Sequence, residues 1–512
     1  MPGGKVYLVG AGPGDPGLVT LRAVEILRRA DVVLSDYLVN PAVLQHCRPD
    51  AMLVSLGKHG SGRVATQDEI NERLLGMSQV FQTIVRLKSG DPMVFARAGE
   101  ELDFLTRHGI EFEIVPGVTA AVAAASYAGI PLTHRDSASA VALVTGRESD
   151  REGEASREGE APAEPSPLDY AALAAFPGTL AFYMGVTTAE HWSQALIAAG
   201  KPPATPVAVL RRVSFADQKR IDTTLGEVAS VVQAAKLRPP VVFLVGQVAA
   251  HGPAWSWFER RPLFGQKVLV TRSAHQAQEL ARPLAELGAD VLLQPAIEIC
   301  PPADWSPVDR ALERLDRFDW LVFSSSNGVT HFLDRLPSVD RDVRALGKVK
   351  IAAIGPGTAD ELARYHLKAD LVPDEFRAES LALALKGGAA GKRFLLVRAS
   401  RGREVLADEL TKAGGIVEQV VAYESVDAEQ PAADIAQKLA AGQIDWTTVT
   451  SSAIARSLAR LFGDALKRTK LVSISPITSA TLRELGYEPA AEANEYTMAG
   501  VVEAILASRA VF

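Results

Sequence analysis

Lys5-Val-Tyr-Leu-Val-Gly-Ala-Gly-Pro-Gly-Asp-Pro-Gly, residues 5–17, decides how the N-terminal half is read. An apolar, β-branched run breaks into glycine and proline, and residues 18–29 then carry apolar positions at helical spacing, so a buried strand feeds a tight turn and a helix. The pattern recurs in ADVVLSD (30–36), TIVRLKSGDP (83–92), FEIVPG (112–117) and SAVALVTG (139–146), with a helical stretch at 66–75. Strands alternating with helices describe an α/β domain on a mainly parallel sheet, which places ligands at the carboxyl ends of its strands.

Gly12, Gly14 and Gly17 formally satisfy GxGxxG, with Asp36 about 20 residues beyond, as a dinucleotide site asks. Pro13 and Pro16 argue against that reading, because each deletes a backbone N–H from the loop that should cradle a diphosphate. A turn shaped for an adenosyl group without phosphate fits better. Val85-Arg-Leu-Lys-Ser-Gly-Asp-Pro, Val115-Pro-Gly-Val-Thr-Ala, Gly129-Ile-Pro-Leu-Thr-His-Arg and Tyr183-Met-Gly each put turn residues after an apolar strand. Their loops are expected to collect on one rim.

Outward from this domain (1–146), residues 147–168 form an acidic insertion, with REGEA at both 151–155 and 157–161. Too polar to bury a core, it is expected to be disordered. A second α/β unit follows at 169–251, then a Trp-, Pro- and Arg-rich linker at 252–265, packed on a domain surface. Residues 266–512 contain an internal repeat. Lys267-Val-Leu-Val-Thr-Arg matches Lys392-Arg-Phe-Leu-Leu-Val-Arg, Asp319-Trp-Leu-Val-Phe-Ser-Ser matches Asp445-Trp-Thr-Thr-Val-Thr-Ser-Ser, and Ile354-Gly-Pro-Gly-Thr-Ala matches Ile474-Ser-Pro-Ile-Thr-Ser. Two similar α/β domains with a ligand cleft between them follow, divided as 266–298 plus 427–512 and 299–426.

A net charge of -7 argues against the basic face a nucleic-acid partner needs and leaves room only for local basic clusters. Residues 118–132, the longest apolar stretch, fall short of the roughly 20 residues needed to cross a bilayer. The N-terminus carries no secretion signature, so the cytoplasm is the expected compartment. Cys47 and Cys300 are the chain's only cysteines, which leaves no disulfide framework or Cys-rich metal site.

GAGPGDP, RLKSGDP, VPGVTA and GIPLTHR, in that order, closely resemble uroporphyrinogen-III C-methyltransferases of the tetrapyrrole methylase family, over about residues 5–250. The resemblance implies a two-domain α/β fold, a homodimer through this half, and S-adenosylmethionine, released as S-adenosylhomocysteine, between the domains, with no metal. It implies a cofactor site at Pro13, Ser89, Gly90, Asp91, Val94, Thr119, Ala120, Met184 and Val213, with Asp36 as proton acceptor and Lys58 as proton donor. Read singly, Asp36 is a helix-capping residue and Lys58 a solvated lysine. Ser89, Ala96, Ala98 and Val213 replace glycines of the family pattern, which would narrow the cofactor pocket.

Residues 266–512 resemble uroporphyrinogen-III synthases through VLVTR (268–272), DWLVFSSSNG (319–328), IGPGTA (354–359) and VAYE (421–424). The resemblance implies two flavodoxin-like α/β domains joined by a β-ribbon, acting on hydroxymethylbilane. Tyr423 would assist departure of the hydroxyl. A substrate with eight carboxylates calls for arginine forks and hydroxyls. Arg272, Arg398, Arg401 and Arg403, Ser324, Ser325, Ser451, Thr358 and Thr478 are the candidates, although any one arginine also reads as a solvated loop residue. Together the halves would make uroporphyrinogen III and methylate it twice to precorrin-2, for siroheme or cobalamin. Open alternatives are a methylase for a later precorrin and a synthase half that only binds tetrapyrrole.

Overall fold

A computed structural model of the chain describes residues 3–57, 65–146, 168–251, 255–402 and 404–508. Two units divide it, residues 1–265 and 266–512. The expected acidic insertion, apart from Leu168, lies outside the described residues, as do Lys58 and Arg403.

In the first unit, β1 (Lys5–Gly10), β2 (Val32–Ser35), β3 (Met52–Ser55), β4 (Thr83–Lys88) and β5 (Phe112–Val115) form a wholly parallel sheet in the order β3-β2-β4-β1-β5. The central strands β1, β2 and β4 are buried on both faces, which is why they read as near-continuous apolar runs. Because all five strands run the same way, Gly10, Ser35, Lys88 and Val115 end on one rim. A second sheet holds β6 (Val141–Thr145), β7 (Thr179–Tyr183), β8 (Pro206–Arg211), β9 (Lys219–Thr224) and β10 (Val241–Val245) in the order β6-β7-β10-β8-β9; only β6 and β7 pair in parallel. The helix Ala120–Ala128 leaves the first sheet and packs on the second, where its alanines meet Ala181, Ala208 and Leu244. Small side chains on both surfaces let the two approach closely.

Residues 252–265, expected as a short linker packed on a domain surface, lie in their described part against the first unit. In the described part Phe258 and Leu263 are buried, and the Gly265 amide donates to the Ala216 carbonyl at 3.1 Å. Of its aromatic residues Phe258 is buried, while Trp255 and Trp257 stay about half exposed.

The second unit contains β11 (Lys267–Val270), β12 (Asp290–Leu293), β13 (Ile297–Cys300), β14 (Trp320–Phe323), β15 (Lys350–Ala353), β16 (Arg393–Ala399), β17 (Ile416–Asp427), β18 (Trp446–Val449), β19 (Lys470–Ser473) and β20 (Ala491–Glu492). One sheet runs β12-β11-β18-β19-β20 and the other β13-β17-β16-β14-β15. The long β17 pairs in parallel with β16 through Tyr423, then antiparallel with β13 over Glu424–Asp427, so a two-stranded ribbon carries the chain into the second lobe and back.

The sequence repeat is interleaved between these lobes. The Lys267 landmark shares a sheet with Asp445 and Ile474, whereas Lys392 lies beside Asp319 and Ile354; the lobes are circular permutations of one strand order. The repeated Asp-Trp has a local cause. Asp319 accepts the Arg393 amide at 2.8 Å and Asp445 accepts the Lys267 amide at 2.7 Å, each joining the start of one strand to its parallel neighbour. No described helix is long and apolar enough to cross a membrane.

Candidate active sites

The rim of the first sheet is assembled from backbone. A Cβ on Gly117 would lie 2.3 Å from the Gly90 carbonyl oxygen and 2.8 Å from Gly10 Cα. The loops after β1, β4 and β5 therefore touch main chain to main chain, which only glycine permits. Gly12 and Gly90 exchange two hydrogen bonds of 3.2 and 2.9 Å. Asp91 accepts the amides of Met93 at 2.8 Å and Gly117 at 3.0 Å, tying the second loop to the third.

In the first turn the amides of Ala11, Gly12, Asp15, Gly17 and Leu18 are all donated within the protein, while Pro13 and Pro16 have none. No run of adjacent amides is left to cradle a diphosphate, so the dinucleotide reading fails on geometry.

The second sheet closes the site from the other side. The Tyr183 hydroxyl meets Thr119 Oγ1 at 2.7 Å and accepts the Ala121 amide at 2.8 Å, at the start of the Ala120–Ala128 helix. Burial pushes this phenol's pKa up. Phe95 packs on Tyr183 with ring centroids 4.9 Å apart. Met184 is 44% exposed and sits in the left-handed region at φ 54°. Val213 is buried instead of projecting into open space. Pro13, Ser89, Val94, Thr119 and Ala120 are all half-buried along this rim. The left-handed backbone falls on Phe95, Arg97, Arg212 and Ser214, and none of Ser89, Ala96, Ala98 or Val213 adopts it. Replacing glycine at those four positions therefore adds no backbone strain.

Asp36 follows β2 and pairs with Arg86 Nη2 at 2.6 Å. Arg86 is 2% exposed and also meets Glu101 Oε1 at 3.1 Å; Lys88 Nζ meets the same oxygen at 2.8 Å. Glu101 Oε2 has no hydrogen-bond partner among the described residues. Burial, reinforced by the Arg86 charge, lowers the Lys88 pKa. Arg86 and Lys88 were legible as charges at alternate positions of an otherwise apolar strand, yet only the fold shows them holding Asp36. Ser214 and Glu101 carried no sequence signal, and Tyr183 was legible only as part of the Tyr-Met-Gly turn.

In the second unit, a cavity of about 240 Å³ lies between the lobes, lined by Arg272, Gln276, Arg401, Tyr423, Ser425 and Ser451 among others. Gln276 Nε2 donates to Asn327 Oδ1 at 2.9 Å, linking a helix of one lobe to a helix of the other. Tyr423 is 6% exposed; its hydroxyl meets Ser325 Oγ at 3.0 Å and its ring stacks on His331. Burial raises its pKa. Ser325 and Ser451 are equivalent helix caps, with φ −168° and −167°, accepting the amides of Gly328 and Ile454. Four helices, Ser326–Leu333, Pro356–Arg364, Ser452–Phe462 and Pro476–Glu484, begin at the carboxyl ends of β14, β15, β18 and β19. Helix N-termini in that position favour carboxylates.

The two lining arginines are ion-paired, and Arg398, Ser324, Thr358 and Thr478 are not among the residues that line the cavity. Arg272 pairs with Glu279 at 2.7 Å and Arg401 with Asp427 at 2.6 Å. Arg398 is held by Glu404 and Gln419, and Ser324 donates to the Val397 carbonyl. Thr358 and Thr478 are buried, 5% and 3% exposed. Gln276 and His331 had not been singled out, because a glutamine or histidine on a helix announces no role without its neighbours.

A family model for tetrapyrrole (corrin/porphyrin) methylases matches residues 5–229, and one for uroporphyrinogen-III synthase HemD matches residues 278–503. The chain is similar to the porphyrin biosynthesis protein HemD of Ruminiclostridium josui, 32% identical over 98% of this chain and 95% of that protein. It is similar to the uroporphyrinogen-III C-methyltransferase of Bacillus subtilis (strain 168), 36% identical over 71% of this chain and 72% of that one. A solved uroporphyrin-III C-methyl transferase from Thermus thermophilus, complexed with S-adenyl homocysteine, shares 39% identity, covering 49% of this chain and 100% of its own at a TM-score of 0.40. The chain thus belongs to the tetrapyrrole methylases through its first unit and to the uroporphyrinogen-III synthases through its second, and is a bifunctional enzyme of porphyrin biosynthesis.

Proposed function

We propose that the second unit cyclises hydroxymethylbilane to uroporphyrinogen III and that the first unit methylates this product twice to precorrin-2. The observation that carries the first assignment is the rim where Gly10, Gly90 and Gly117 bring three loops together opposite Tyr183 and Met184. Its donated amides and prolines suit a nucleoside without phosphates. S-adenosylmethionine supplies a methyl group already activated on a sulfonium. Pro13, Ser89, Gly90, Asp91, Val94, Thr119, Ala120, Met184 and Val213 line or support its pocket, and much of the rate comes from alignment. Asp36, anchored by Arg86, takes the proton released as the methylated ring relaxes, and Lys58 serves as the donor.

In the synthase half, Arg272, Arg401 and Ser451 face the cavity and contact substrate carboxylates, together with the helix N-termini. Ser324, Ser325, Thr358, Arg398 and Thr478 shape the walls behind them. Tyr423 donates its hydroxyl proton to the departing hydroxyl, a role supported by a phenol that burial keeps protonated. A homodimer through the first unit is supported by edge strand β6, whose Val141 and Leu143 are 39% and 38% exposed.

The intact chain, given hydroxymethylbilane and S-adenosylmethionine, is expected to yield a type III product heavier by two methyl groups. A type I product defeats the synthase assignment, and a type III product of unchanged mass defeats the methylase assignment.

A further inference from the structure

The segment leading from the first unit to the second is bonded into the turn after β1. Glu259 Oε1 accepts from Gln218 Nε2 at 3.0 Å; Gln218 Oε1 accepts the Ser214 amide at 2.9 Å; Ser214 Oγ accepts the Asp15 amide at 2.8 Å. From Asp15 the path returns, because Tyr127 donates its hydroxyl to Asp15 Oδ2 at 2.8 Å and packs its ring on Phe258 at 4.8 Å and Trp257 at 5.3 Å. Arg261 lies over both of those rings, 4.6 and 4.7 Å from their centroids. The circuit therefore runs from the segment through the 212–218 loop to the turn, and back through the Ala120–Ala128 helix.

Two further contacts hold the segment at main-chain distance. A Cβ on Gly129 would sit 2.1 Å from the Trp255 carbonyl oxygen, and the Gly265 amide donates to the Ala216 carbonyl at 3.1 Å; Gln218, only 4% exposed, also ties the loop to the helix by donating to the Tyr127 carbonyl at 3.4 Å. Ser214 lies in the left-handed region at φ 65°, a conformation that persists only where its surroundings impose it. Gln218 supplies that constraint by taking the Ser214 amide, and Glu259 fixes the orientation of the Gln218 side chain.

We propose that Glu259 is a positioning residue for methyl transfer: acting through Gln218 and Ser214, it sets the height of the turn at residues 10–17 against the donor nucleoside. The proposal rests on the reading of that turn as the donor pocket. Since hydrogen bonds in such a network reinforce one another, loss of the outermost acceptor is transmitted inward.

The test uses the full chain, its Glu259→Ala and Glu259→Gln variants, and S-adenosylhomocysteine as the calorimetric probe. A glutamine keeps a carbonyl oxygen for Gln218; an alanine does not. Glu259→Ala is expected to bind the probe about five- to tenfold more weakly, the worth of one net hydrogen bond, and to raise KM for S-adenosylmethionine more than it lowers kcat. Glu259→Gln is expected to restore at least half of the lost affinity. Cyclisation of hydroxymethylbilane by the second unit should be unchanged in both variants, and an unchanged thermal melt of the first unit reports that the part carrying the substitution is folded. Equal probe affinity in all three proteins overturns the proposal, as does equal weakening by both variants. A parent protein that cyclises hydroxymethylbilane yet has no affinity for the probe overturns the reading of the donor pocket itself.

Discussion

Gly117→Ala isolates the main-chain contact on which the methylase rim is built. Gly117 has no left-handed backbone, so an alanine there meets a purely steric obstacle. The new Cβ would stand 2.3 Å from the Gly90 carbonyl oxygen, 2.8 Å from Gly10 Cα and 2.9 Å from Gly10 C. Carbon and carbonyl oxygen approach comfortably at about 3.3 Å, so the loops must part by about 1 Å. Every neighbour is backbone, which leaves no rotamer to absorb the strain. Overpacking of this kind costs about 1–3 kcal/mol, and a misplacement near 1 Å can lower a transfer rate about 10²-fold. Gly99→Ala is the control: it lies in the helix Ala98–Arg107 with nothing within 4 Å of a Cβ. Calorimetry with S-adenosylhomocysteine, methyl transfer to uroporphyrinogen III and thermal melting should all fall for Gly117→Ala and hold for Gly99→Ala. A Gly117→Ala enzyme within twofold of the parent in both donor affinity and transfer rate would refute the reasoning.

Arg86→Met should cost about 3 kcal/mol in denaturant unfolding of the first unit, since it strands Asp36 and leaves Glu101 with Lys88 alone; a loss below about 1 kcal/mol would mean the network is not carrying those charges. Burial raises the Tyr183 and Tyr423 phenols above the usual tyrosine value of about 10, so above about pH 10 the folded chain retains protons that the unfolded chain has released, and stability falls as pH rises. Melting curves between pH 8 and 11 should show that decline, and the double Phe variant should flatten it. Ser325→Ala and Ser451→Ala remove equivalent caps and should each cost about 1 kcal/mol, but only Ser325→Ala should raise the proportion of type I isomer, because only Ser325 touches Tyr423. Identical product ratios would sever Ser325 from the chemistry.

Strand grammar and turn residues made the first sheet and its loops readable, because a parallel sheet buried on both faces must write its strands as apolar runs and its loops as glycine and proline. The wall opposite was not readable in the same way. Tyr183 closes on Thr119 across 64 positions of sequence, and Ser214 meets Asp15 across 199, with no local pattern to announce either. The segment at 255–265 was read as packed on a domain surface, but Trp and Arg content does not reveal which rings are covered: Phe258 is buried against Tyr127 while Trp257 stays 47% exposed. In the second unit the repeat announced two similar lobes, and the expected division into 266–298 plus 427–512 and 299–426 groups the Lys267, Asp445 and Ile474 landmarks together, although repeat spacing alone does not say which strands pair. Strand partners are chosen by hydrogen bonds such as Asp445 to Lys267, 178 residues apart, which repeat spacing does not encode.

The interleaving of the repeat between the lobes bears on how a duplicated fold performs an asymmetric reaction. The lobes share their capping serines and strand-joining aspartates, so these elements alone would treat both ends of a linear substrate alike. The difference arises at β17, which leaves β16 at an irregularity after Arg398, pairs Ala399 with Tyr423, and then turns to β13. Its counterpart in the other lobe, β12, ends at Leu293, and the chain enters the ribbon only after a three-residue break, as the separate strand β13. Tyr423 therefore stands at the one junction where lobe and ribbon meet on a single strand, facing a cavity whose other wall has no matching phenol among the residues that line it. A catalytic hydroxyl placed there meets only one end of the bound chain, and the ring inversion that distinguishes the type III product requires that inequality.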